Sequence, residues 1–144
     1  AASIWNAGWH DAHAAIVPPV ILPERTPAAF RTRLAPLLPN ARGAFVDGAL
    51  AGFHVIDGAE LYQFYVDAAF RGRGVAPALM ADAERALAAT GLVEAFLMCA
   101  VGNERARRFY TKAGWSEGPE VEGTAWSLDG PGLPVRCHRF TRAL

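Results

Sequence analysis

Residues 71–76 read Arg-Gly-Arg-Gly-Val-Ala, and they join two segments of opposite character. Residues 60–66 (Glu-Leu-Tyr-Gln-Phe-Tyr-Val) are rich in aromatic and branched side chains, which predicts a strand. From Val75 to about Thr90, Val75, Ala78, Leu79, Ala83, Ala86 and Leu87 recur at helical spacing, and Gly91 supplies a stop. Pro77 is tolerable in a first turn, which makes no internal N–H bond. A strand that turns through glycines into a helix leaves successive N–H groups unpaired at the positive end of the helix dipole. Such a loop favours a diphosphate, with Gly72 and Gly74 allowing close approach and Arg71 and Arg73 adding charge.

The remaining elements can be read around this step. Residues 2–14 carry Ile4, Trp5, Gly8, Trp9 and Ala12 at helical spacing. Four prolines within residues 17–27 predict a loop. Thr26-Pro27 opens a second helix to about Leu38, ended by Pro39-Asn40. Residues 44–46 and 50–56 flank Asp47-Gly48 as a hairpin, and Asp57-Gly58 turns into the strand at 60–66. Residues 93–101 read as a continuous apolar strand buried on both faces. Asn103 caps a helix to Ala113, whose inner face is Ala106, Phe109, Tyr110 and Ala113. The tail reads as two strands, with the turn at Gly130-Pro131-Gly132. The order predicts one α+β (mixed α/β) domain over residues 1–144, with a parallel step across the central helix.

Composition removes several classes of function. Fourteen Lys and Arg balance 14 Asp and Glu in 144 residues, so no field of one sign recruits nucleic acid. The two cysteines, Cys99 and Cys137, are far apart, which excludes a disulfide scaffold and a cysteine-rich zinc site; no metal is expected. A reducing cytoplasm is the expected setting. No apolar run approaches the roughly 20 residues that span a bilayer, and no signal peptide is evident, so no membrane partner is expected.

Three readings compete for residues 71–76. A glycine-rich turn with two solvated arginines is the plain one. A dinucleotide fingerprint needs a small residue where Pro77 stands, and a late acidic residue that Glu94 supplies too early in the next strand. A phosphate loop of the Gly-Lys-Ser/Thr type fails, because that sequence is absent. Residues 66–76, with Arg71, Gly74 and Ala76 in place, resemble the Gln/Arg-x-x-Gly-x-Gly/Ala pyrophosphate motif of the GNAT-superfamily N-acetyltransferases. Residues 103–115 resemble that family's Asn-x-x-Ala-x-x-Phe-Tyr-x-x-x-Gly-Phe/Trp block. The resemblance covers about Ala41 to the end. Ala68 stands where the family often has proline.

This resemblance implies a mostly antiparallel mixed sheet, splayed at its middle, with helices on both faces. It implies an acetyl-CoA-dependent N-acetyltransferase. The acetyl group passes to a primary amine of a small molecule or of a peptide or protein by direct attack. The pantetheine arm would lie against Phe64, Tyr65 and Val66, and the diphosphate against Arg71, Gly72, Arg73, Gly74, Val75 and Ala76. Asn103 matches a residue contacting pantetheine or phosphate, and Tyr110 one whose hydroxyl faces the thioester sulfur. A phenol with a pKa of about 10 can protonate a departing thiolate, making Tyr110 the general acid; otherwise it packs its ring with Phe109. Glu60 is the candidate base, or else a solvated carboxylate after a turn. A backbone N–H near Val66 is placed to polarise the carbonyl.

Trp5, Trp9, His10 and His13 are either acceptor-pocket or core residues. His54 reads as structural, and Cys99 as core rather than an acyl-carrying nucleophile. The alternative to catalysis is a non-catalytic acyl-CoA-binding domain that senses the ligand or regulates a partner. The family normally opens with a strand, whereas this chain opens with a helix. Either that first strand is missing from these residues or another segment covers the sheet edge. An edge left uncovered would invite pairing with a second copy, so a homodimer is an expectation.

Overall fold

The computed structural model describes residues 1–144. Helix α1 (Ala2–His13) is followed by a 3-10 turn at Pro19–Glu24, helix α2 (Pro27–Leu34) and a second 3-10 segment at Ala35–Asn40. Thr26 caps α2 by accepting the Ala29 N–H at 3.1 Å. The expected helix to Leu38 therefore stops four residues early as α-helix. Pro36 lacks an N–H and its ring clashes with the carbonyl four residues back, so the chain tightens into 3-10 geometry.

Strands β1 (Ala41–Val46), β2 (Ala49–Asp57) and β3 (Glu60–Val66) form the meander. Asp47 and Gly48 take φ values of 50° and 80°, the left-handed pair that a tight hairpin requires. Helix α3 (Val75–Ala88), strand β4 (Glu94–Ala100), helix α4 (Glu104–Lys112) and strands β5 (Ser116–Ser127) and β6 (Gly130–Ala143) follow. The buried face of α3 is Val75, Leu79, Met80, Ala83 and Leu87; Ala78 is exposed and Met80 takes its place. The β5–β6 turn lies at Leu128-Asp129, not at Gly130–Gly132. Gly132 sits inside β6, where a Cβ would meet the Ala125 carbonyl oxygen at 2.3 Å.

The six strands form one sheet in the order β1-β2-β3-β4-β6-β5, antiparallel except for β3 against β4. Helices cover both faces. On one, Ile4, Trp5 and Trp9 of α1 and Phe30 of α2 pack against Phe53, Val55 and Trp126. On the other, Met80, Ala83 and Leu87 of α3 pack against Leu61, Ala95, Leu97 and Phe140. Trp5 and Phe53 are fully buried, and each large apolar side chain so placed contributes about 1.5–3 kcal/mol.

The feature that makes the site is a missing seam. β3 and β4 share one register pair, Glu60 with Phe96. Beyond it β3 departs, because Tyr62 is an extra residue: Val55 pairs with Gln63 while Ile56 pairs with Leu61. A bulge of this kind bends and twists its strand. The sheet opens from that point. β4 is consequently buried on one face only: Ala95, Leu97 and Cys99 are covered, while Phe96, Met98 and Ala100 are half-buried along the opening.

Candidate active site

The opening is a cavity of about 720 Å³ walled by β3, β4, α4, β5, β6 and the α1–α2 region. Glu60, Phe64, Tyr65, Asn103 and Tyr110 all line it. Val66 and residues 71–76 do not; they follow β3 outward to the end where the two strands are furthest apart. The Asp67 N–H donates to the Ala51 carbonyl on the β2 side at 2.8 Å. By the alternation of an antiparallel ladder, Tyr65 also addresses β2, so the N–H and C=O groups of Phe64 and Val66 face the gap.

In the glycine loop, Gly72 and Gly74 adopt φ values of 75° and 77°, and nothing lies within 4 Å of where a Cβ would stand. The N–H groups of Gly72, Arg73, Gly74, Val75 and Ala76 find no acceptor in the chain. Gly74 caps α3 without a side chain, so the helix end stays open. Arg71 and Arg105 both donate to the Asp11 carboxylate at 3.1 Å, tying α1 to the loop and to α4. These two arginines hold Asp11 below the usual carboxylate range. The loop after β3 and the start of α4 after β4 thus meet at one end, as a parallel pair requires.

Asn103 accepts the Ala106 N–H at 3.4 Å through Oδ1, which caps α4 and leaves Nδ2 free to donate. The Tyr110 ring packs against Phe64, Phe109 and Phe140 at centroid distances of 6.5, 5.6 and 5.7 Å. Its hydroxyl makes no hydrogen bond within the chain, and burial pushes its pKa well above that of an ordinary phenol. It therefore carries its proton. Glu60 is half-buried; desolvation first, and the Asp57 charge second, raise its carboxyl pKa, while Arg139 opposes the rise.

The first-helix candidates divide. Trp9 and His13 line the cavity, whereas Trp5 is core and His10 bonds its own helix through Asn6 at 2.8 Å. Burial lowers His13 to about 4, so it is neutral. His54 is fully buried on the opposite side of β2, with Nε2 2.9 Å from Asp82, and lies outside this cavity. Burial pushes the Cys99 thiol up to about 12, which leaves it protonated and without nucleophilic character. Sequence reasoning missed Arg25, Arg33, Trp126 and Arg139 in the cavity wall. Arg25 stands in a proline-rich connection and Arg33 on a short helix, with no motif around either to mark them.

A search of curated protein sequences finds no match. Among solved structures, the chain is similar to a GCN5-related N-acetyltransferase from Rhodopseudomonas palustris, with a TM-score of 0.75 and 21% identity over 99% of this chain and 87% of that one. It is similar to the PaiA N-acetyltransferase from Thermoplasma acidophilum, solved in complex with coenzyme A, with a TM-score of 0.67 and 19% identity over 99% and 90% of the two chains. It is also similar to YncA, a putative acetyltransferase from Salmonella typhimurium solved with acetyl-CoA, with a TM-score of 0.70 and 13% identity over 99% and 86%. The model of the acetyltransferase (GNAT) family matches residues 13–115, which include both sequence motifs and most of the cavity wall. A sheet opened by a bulge, a bare helix end beside the opening and a family match spanning both lead to one assignment: the chain belongs to the GNAT family of acetyltransferases.

Proposed function

We propose that the protein transfers an acetyl group from acetyl-CoA to a primary amine by direct attack of that amine. The observation that carries this reading is the single-pair seam between β3 and β4, which leaves backbone polar groups of β3 unpaired beside a cavity containing Glu60 and Tyr110. Unpaired strand backbone inside a protein calls for a partner. The donor suits the loop as well: Gly72 and Gly74 keep the approach clear, and the bare N–H groups of residues 72–76 match a diphosphate.

Acetyl-CoA supplies an activated thioester. The loop N–H groups with Arg71 and Arg73 hold its diphosphate. Phe64 and Val66 offer backbone pairing to the pantetheine arm, and Asn103 offers Nδ2. The Val66 N–H, facing the gap, stabilises negative charge developing on the carbonyl oxygen. Glu60 takes the proton from the acceptor ammonium, directly or through water, and its raised pKa makes it the stronger base. Tyr110 returns a proton to the departing sulfur. An exposed thiol ionises near 8.5 and an exposed phenol near 10, so this transfer is uphill in water. Burial in the same apolar site raises the proton affinity of both groups, which keeps the two within range of each other.

The test is an acceptor screen with acetyl-CoA, in which release of free coenzyme A thiol is followed and the acetylated amine is identified by mass. Amine-dependent thiol release is expected. Tight acetyl-CoA binding with no transfer to any amine would instead indicate a domain that senses the ligand.

A further inference from the structure

The α1–α2 side of the cavity contains two arginines without an anion. Arg25 is 3% exposed, and its Nε and Nη1 are buried with no hydrogen-bond partner. Its one bond is from Nη2 to the Trp126 carbonyl at 2.6 Å. The faces of its guanidinium are covered by Trp126, 3.6 Å from the ring centroid, and Trp9 at 5.0 Å. Arg33 donates from Nη2 to the Tyr62 hydroxyl at 2.6 Å, and its Nε is also buried and unpartnered. Both side chains line the cavity. The other arginines that bury charge in pairs do so near the surface: Arg42, Arg71, Arg85, Arg105, Arg107, Arg136 and Arg142 each have a carboxylate. Buried Arg25 and half-buried Arg33 have none.

A guanidinium out of water needs an anion or a full set of acceptors. Desolvation lowers the Arg25 pKa to about 10, with the neighbouring Glu24 charge opposing the fall only in part and without an ion pair. The carboxylates lining the cavity are Glu60 and Glu122, and neither forms an ion pair with Arg25 or Arg33. The guanidinium fork matches a carboxylate two bonds at a time, and aromatic walls hold it in plane.

On the reading that Glu60 marks where the amine reacts, we infer that the acceptor is a small amine bearing its own anion, in its simplest form a free α-amino acid. Arg25 and Arg33 hold the carboxylate while the amine faces Glu60. The aromatic side chains of Trp9, Tyr62 and Trp126 beside them favour an apolar body on that amino acid. A protein N-terminus carries no carboxylate next to its amine and fits the same wall poorly.

The test measures kcat/KM at saturating acetyl-CoA for matched sets: free L-amino acids, their carboxamides, the amines that remain once the carboxyl is removed, and dipeptides. Free amino acids with apolar side chains should exceed the other members by about 10²-fold, the usual size of discrimination when a buried charged group loses its partner. Arg33→Gln should shrink that ratio at least tenfold through KM for the acceptor, with KM for acetyl-CoA unchanged. Arg25→Lys, which keeps the charge but loses the fork, should do likewise; a merely structural role would lower the yield of folded protein and leave the ratio alone. Carboxamides, decarboxylated amines or dipeptides used as well as free amino acids would overturn the inference. So would a wild-type ratio in Arg33→Gln, or bound acetyl-CoA with no amino acid acetylated. Those three results leave the donor assignment intact, whereas failure to bind acetyl-CoA removes the donor assignment first.

Discussion

In the proposed mechanism, Tyr110 and Glu60 are set for proton transfer by the same physical cause acting on different groups. Burial opposes charge, so it keeps the Tyr110 hydroxyl protonated and raises the Glu60 carboxyl pKa above its ordinary value. Tyr110→Phe preserves the ring contacts to Phe64, Phe109 and Phe140 and deletes the proton. Turnover should fall on the order of 10²-fold, at the lower end for a general acid because a thiolate already leaves readily, with acetyl-CoA affinity unchanged. Equal turnover of the two proteins, with chemistry rate-limiting, would refute the acid role. For Glu60 as the proposed base the active form is the carboxylate, so activity should decline as pH falls through its pKa. Since that pKa is raised, the acid limb of kcat/KM should lie above the range of an exposed glutamate. Glu60→Gln should cost about 10²-fold or more at neutral pH and remove that limb. A Glu60→Gln profile matching wild type would move the base elsewhere. Both residues were named from the sequence, Tyr110 through the family block at residues 103–115 and Glu60 from its place at the start of the strand before the glycine loop, and both line the cavity. Arg25 and Arg33 were not, since what makes them notable is the absence of a partner, and that exists only in the folded chain.

At the scale of elements, the glycine loop depends on backbone geometry more than on side chains. Gly74 has φ +77° at the mouth of α3, with open space above it. Gly74→Val adds strain in the left-handed region, roughly 1–2 kcal/mol, and places a branched side chain over the unpaired N–H groups. Gly48, with φ +80° and equally open space in the β1–β2 turn, supplies the strain control. Calorimetric titration should show coenzyme A binding lost in Gly74→Val and retained in Gly48→Val; retention in both would take the diphosphate off the loop. The turns Asp47-Gly48 and Asp57-Gly58 could be read from sequence because the turn chemistry is local. Gly130-Pro131-Gly132 misled for the same reason: Gly132 serves a close approach of β6 to β5, a contact between strands that imitates a turn signal. The splay of β3 from β4 was expected only through the family resemblance; the bulge that accompanies it left no trace, because the extra residue Tyr62 is identifiable only from the register with β2.

At the scale of the molecule, the sheet holds two cores, one on each face, and keeps one seam open between them. The order of helices and strands followed from periodicity and caps. The proposed use of the open seam rests on backbone groups without partners. β1 forms an edge of the sheet and carries Phe45 at 67% exposure, so the expectation of a second copy along this edge stands as a proposal. The central claim is that the seam and the glycine loop together receive acetyl-CoA. The most direct measurement is the melting temperature with and without millimolar acetyl-CoA. A ligand present at 100 times its dissociation constant stabilises the folded state by about 2.7 kcal/mol, on the order of 8 °C for a chain of this size. A rise of that order is the predicted result, and an unchanged melting temperature at millimolar acetyl-CoA would contradict the account.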